Sequence, residues 1–66
     1  MRITVNGQQR DVPAGTTVRT LLDVLAVPQQ ATAVEVNREL VPRSQQAARA
    51  LAEGDAVEIV TLVGGG

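Results

Sequence analysis

The 66-residue chain contains no cysteine, histidine, lysine, tryptophan, tyrosine or phenylalanine, and each absence removes a class of chemistry. Without Cys there is no disulfide staple, no thiolate nucleophile and no zinc-thiolate site. Without His the commonest general base and metal ligand is missing. Without aromatic rings there is no platform on which bases stack, and a formal net charge of −1 offers no basic stripe to displace phosphate counterions. Nucleic acid is not an expected partner. No apolar run approaches the ~20 residues of a membrane helix, and Met1 leads straight into Arg2-Ile3-Thr4-Val5 without an apolar signal segment. A cytoplasmic protein with no membrane contact is expected.

What is present is aliphatic. The hydrophobic 44% consists of eleven Val, nine Ala, six Leu, two Ile and one Met. A chain of this size buries only about 60% of its unfolded surface, so the stability margin is thin and one domain is all it can support. Val-rich segments suit a pleated surface, which favours a sheet covered by a helix.

Arg2-Ile3-Thr4-Val5-Asn6 alternates polar and apolar, the period of a half-buried strand. Asn6-Gly7 tolerates the positive φ of a tight turn, and residues 9–12 read as the return strand, stopped by Pro13. Thr16 and Thr17 are candidate helix caps. Val18, Leu21, Leu22 and Leu25 then fall on one helical stripe, opposite Arg19, Thr20 and Asp23, with Pro28 as the expected stop. Residues 32–37 form a further strand, Asn37-Arg38 a turn, and Glu39-Leu40-Val41 a short strand closed by Pro42. Ser44 is expected to cap a helical turn over residues 45–48, and residues 56–63 to form the last strand after the Glu53-Gly54-Asp55 turn. Strands grouped around one helix indicate an α+β domain. The first and last strands are candidates for a parallel pair, which periodicity alone does not establish.

Side chains offer little reactivity. Asp11, Asp23, Glu35, Glu39, Glu53, Asp55 and Glu58 lack the spacing of a calcium loop or an acid/base pair, and no metal site is expected. Glu35 and Glu39 flank a turn and read as solvated carboxylates rather than a cation site. Ser44 has neither His nor Lys to activate it. The six Arg are dispersed. The remaining feature is Gly64-Gly65-Gly66, directly after an apolar strand. Three extended residues reach about 10 Å. A segment without Cβ atoms can enter a channel too narrow for other residues and carry a carboxylate into a partner's site; a frayed end is the plain alternative.

The strand–turn–strand–helix opening, the Asn37-Arg38-Glu39-Leu40-Val41-Pro42-Arg43 segment, the Glu53-Gly54-Asp55-Ala56-Val57-Glu58-Ile59-Val60 segment and the Val63-Gly64-Gly65-Gly66 end together resemble the thiamine-biosynthesis sulfur carriers. The diglycine ending alone is unspecific, because ubiquitin-like modifiers and the small subunit of molybdopterin synthase share it. The resemblance implies a ubiquitin-like β-grasp fold: a mixed sheet of four to five strands with one main helix on one face. It implies a β-grasp domain over residues 1–63 and a flexible Gly-rich tail over 64–66. It further implies a carrier rather than an enzyme, with Gly66 as the covalent site and Gly64 and Gly65 threading into partner sites. An E1-like adenylating enzyme using ATP and magnesium, a persulfide donor such as a cysteine desulfurase, and thiazole synthase are the implied partners. A carrier for molybdopterin or another sulfur-containing product, and a ubiquitin-like modifier, are the alternatives. The missing Lys disfavours self-linked chains.

In the last strand Val57, Ile59 and Thr61 share one face, and Val60 and Leu62 the other. Val60 and Leu62 are expected to form an apolar patch for a partner beside the tail.

Overall fold

The opening alternation forms β1 (Arg2–Val5), and Asn6-Gly7 turns it into β2 (Gln8–Asp11). The structure, a computed structural model, describes residues 1–61. Asn6 and Gly7 take φ of 50° and 83°, the left-handed pair that a two-residue hairpin of the right twist requires. Because the turn consumes only these two residues, the return strand starts one residue earlier than alternation suggested. Val12 still extends the pairing: its N–H donates to the Met1 carbonyl at 2.9 Å, and the Met1 amino group donates to the Val12 carbonyl at 2.7 Å.

Of the two candidate caps, Thr17 holds the start of α1 (Val18–Val24), its hydroxyl accepting the Thr20 N–H at 3.1 Å. Thr16 instead donates its hydroxyl to the Pro13 carbonyl at 2.7 Å and closes the preceding turn. The first helical amides, which have no partner within the helix, are met from outside. Val18 N–H reaches the Arg49 carbonyl and Arg19 N–H the Gln46 carbonyl, both at 3.0 Å. The segment keeps a helical turn of its own over residues 45–48, as expected, with Ala48 N–H and Arg49 N–H donating to the Gln45 carbonyl at 3.1 and 3.0 Å. A short 3-10 turn (Arg43–Gln45) follows Pro42 without a side-chain cap, and Ser44 lies inside it rather than capping it.

The helix also ends before Pro28 is reached. Leu25 is its C-cap and Ala26 turns left-handed at φ 56°. Ala26 N–H donates to Asp23 and Val27 N–H to Leu22, both at 3.1 Å, the paired bonds of a Schellman ending.

β3 (Thr32–Val36), β4 (Glu39–Leu40) and β5 (Ala56–Thr61) complete a five-stranded sheet in the order β2-β1-β5-β3-β4. β1 and β5 are parallel, as the candidate pairing required, and the other pairs are antiparallel. Asn37 and Arg38, at φ 53° and 69°, make the β3–β4 turn. The helical stripe of Val18, Leu21 and Leu22 is buried against Ile3, Val34, Val36 and Val57 from the sheet, with Val12, Val41 and Leu51 closing the core from loops. Both sheet edges discourage unwanted pairing: β2 is polar and exposed throughout, and β4 has only two residues.

Candidate carrier end and the surface beside it

β5 is the central strand of the sheet and leads directly toward the glycines. The carrier position Gly66, the threading residues Gly64 and Gly65, the domain boundary at 63/64 and Leu62 of the expected patch lie outside the described residues. Among the described residues, the approach to them is set by what holds β5 and what surrounds its end.

Two asparagines hold it. Asn6 sits where β1 has stopped, and its side-chain amide takes over the ladder. Ile59 N–H donates to Asn6 Oδ1 at 2.8 Å, and Asn6 Nδ2 donates to the Ile59 carbonyl at 3.3 Å. At the start of β5, Ala56 N–H donates to Asn37 Oδ1 at 2.9 Å and Asn37 Nδ2 donates to Asp55 Oδ1 at 3.0 Å. Asp55 Oδ2 accepts from Ala52 N–H at 2.8 Å, which seats this buried carboxylate. Both asparagines occupy left-handed turn positions, which Asn tolerates better than most residues. The Asn37 and Gly54-Asp55 segments, separate in the sequence, thus meet as one hydrogen-bonded unit. Sequence reasoning marked Asn6 and Asn37 as turn formers and missed these reaches; a polar side chain at a turn does not announce a partner eighteen or more residues away.

On the face of the sheet away from α1, Val60 is 55% exposed. It pairs across with Ala33, and in the next outward row Glu58 lies opposite Glu35, which pairs in turn with Leu40, 65% exposed. The result is an acidic pair flanked by exposed aliphatic side chains. Alternation sends Glu35 to this outer face, while Glu39, opposite Val36, belongs to the other. The two carboxylates flanking the turn therefore do not converge. Among the described residues, no group of three or more acidic, His or Cys side chains could hold a metal ion.

Farther out on the same face, Arg2 Nε donates to Asp11 Oδ1 at 3.0 Å. The hydrogen bond, then the charge, of Arg2 holds the Asp11 carboxyl below its usual value, and Asp11 in return holds the guanidinium higher. This exposed pair braces the β1–β2 edge rather than forming a reactive group.

With that geometry in place, the sequence matches the ThiS family over residues 3–66. The chain belongs to the ThiS family. It is 35% identical to the sulfur carrier protein ThiS of Escherichia coli, with all of both chains covered. The crystal structure of the thiamine biosynthesis protein ThiS from Geobacter metallireducens superposes with a TM-score of 0.86 at 38% identity, again over all of both chains. The ubiquitin-like β-grasp expectation is met: a mixed five-stranded sheet with one helix, shared with ThiS structures. The chain is also 44% identical to part of a thiazole synthase from Paramagnetospirillum magneticum, of which it spans 20% of the length. No described helix of this ThiS-family chain is long and apolar enough to cross a membrane.

Proposed function

We propose that this chain is the sulfur carrier of thiamine biosynthesis, acting in the cytoplasm as a co-substrate rather than as an enzyme. The Gly66 carboxylate is the reacting group. A carboxylate is a poor electrophile, so an E1-like partner first joins it to AMP from ATP, with magnesium, releasing pyrophosphate. The terminal sulfur of a protein persulfide, supplied by a cysteine desulfurase or an equivalent donor, then displaces AMP. Two electrons from a thiol complete the release of a Gly66 thiocarboxylate. Its soft sulfur is delivered to thiazole synthase. Gly64 and Gly65 thread the partner channels, and Val60 with Leu62 forms the apolar patch that a partner covers.

The observation that carries this reading is the family match, which runs through the final glycines, joined to identity over the whole length of a named sulfur carrier. The similarity of the entire chain to a stretch of a thiazole synthase supports that partner. Intact-mass measurement after incubation with the activating enzyme, ATP, magnesium and a sulfur source tests it. A gain equal to the exchange of one oxygen for sulfur at the C-terminus is expected. Gly66 joined instead to a lysine of another protein would replace the carrier by a modifier. Deleting Gly66 should abolish the mass gain.

A further inference from the structure

β5 outruns β1. It pairs with β1 only at Thr4↔Ala56 and Val5↔Val57, but with β3 as far as Thr61↔Thr32. The main-chain groups of Ile59 point to the β1 side, where Asn6 receives them. Main-chain direction alternates along a strand, so the N–H and C=O of Thr61 point the same way, beyond the reach of β1. Among the described residues, no main-chain group bonds to them there. Beside this open edge lies a groove of about 470 Å³ between the first hairpin and the end of α1. Half-buried Val5, Leu25, Val27 and Ile59 form its apolar floor, and Gln8 and Arg10 stand on its rim. Arg10 is the charged side chain of the lining, and the described ion pairs, Arg2 with Asp11 and Arg19 with Asp23, leave it without a carboxylate.

We propose that this groove docks an extended, acidic segment of a partner protein. The segment adds to the open edge at Thr61, lays an aliphatic side chain on the floor and sets a carboxylate against Arg10. Each part of the lining selects one property of the occupant: the free main-chain edge an extended backbone, the floor an aliphatic side chain, and the unpaired guanidinium a negative charge. A second copy of this chain is a poor occupant. Its exposed edge β2 (Gln8–Asp11) has no aliphatic residue and brings another Arg10, and its other edge β4 has only two residues. The surface is distinct from the Val60 face, on the opposite side of the sheet, and does not depend on the chemistry at Gly66.

Titration of the isotopically labelled chain with acetyl-Val-Thr-Val-Glu-amide, followed by amide chemical shifts, tests the proposal. A segment this short binds weakly, so the peptide is carried to ~10 mM. Saturable shifts concentrated at Asn6, Leu25, Val27 and Thr61 are expected. Replacing the peptide's Glu by Gln, or Arg10→Gln in the protein, should each weaken binding about threefold, as loss of an exposed ion pair does. Arg10→Lys should largely restore it. Equal affinity for the two peptides, shifts confined to the face around Val60 and Glu58, or no saturable shift at the highest concentration would each overturn the proposal. Shifts at the groove that depend on protein concentration without peptide would assign it to a second copy instead. Because Gly66 thiocarboxylate formation is read separately by mass, failure here leaves the carrier reading to its own test.

Discussion

Asn6 does two jobs that different substitutions can separate. Its backbone turns the hairpin at φ 50°, and its side-chain amide closes two hydrogen bonds on Ile59. Asn6→Gly keeps the turn and removes only the amide. The expected result is faster hydrogen exchange at the Ile59 amide and a stability loss of about 1 kcal/mol, the usual worth of a partly exposed hydrogen bond or two after relief of the left-handed strain. Asn6→Val should lose more, because a β-branched residue disfavours that φ as well as lacking the amide. Denaturant unfolding and exchange of the two variants side by side check the separation. The Arg2–Asp11 pair makes a pH prediction. The folded carboxyl of Asp11 is held below its ordinary value of 3.8, so the pair's contribution is present above that value and is lost as pH falls through the lower folded value. Asp11→Asn should therefore flatten the acid limb of the stability profile while changing little near neutrality. Because both side chains are exposed, added salt should shrink the difference between the two proteins.

At the level of elements, α1 ends on an alanine in a conformation that usually belongs to glycine. Ala26 holds φ 56° while completing the bonds to Asp23 and Leu22. A left-handed L-residue costs roughly 1–2 kcal/mol, and glycine gives back part of that gain as unfolded-chain entropy. Ala26→Gly should thus stabilise the protein by up to about 1 kcal/mol, seen as a higher urea midpoint with an unchanged slope. The same residue shows why the helix end was not legible in the sequence. No glycine or asparagine marked the stop, so Pro28 took that role, although tertiary packing of Val27 on the core closes the helix sooner. The stripe of Val18, Leu21 and Leu22 was legible because burial repeats with the helical period and needs no knowledge of the sheet. Asn6-Gly7 and Asn37-Arg38 were legible as turns because the requirement for positive φ is local. The order of the strands, the clamps on β5 and the groove were not. Each depends on residues far apart in the chain, and no local pattern encodes which distant backbone an amide will meet. The helical turn at residues 45–48 was legible because it is local, but its reach was not: the carbonyls of Gln46 and Arg49 serve the start of α1.

For the molecule as a whole, the proposed function asks the domain to present one face to a partner while holding β5 rigid, and two exposed valines can test whether the face matters. Val60 lies on the outer side of the sheet at 55% exposure, and Val24 on the outer side of α1 at 64%. Neither belongs to the buried core. Val60→Asp places a poor strand former beside Glu58, and Val24→Asp places a negative charge in the last turn of a helix; each should cost about 1 kcal/mol. The two variants are then matched in chemistry and in stability but not in location. If a partner covers the sheet face, Val60→Asp should slow adenylation of Gly66 tenfold or more, the effect of removing a contact from the centre of an interface. Val24→Asp should leave the rate within a factor of about two. Equal slowing in both would trace the defect to stability rather than docking, and unchanged rates in both would remove Val60 from the partner surface. The acidic pair sharpens the outcome. Glu58 and Glu35 face each other across β5 and β3, an arrangement that costs a few tenths of a kcal/mol in the free protein. Glu58→Gln should raise stability slightly, and if the partner meets this pair with a cation it should also weaken association, more so at low salt than at high.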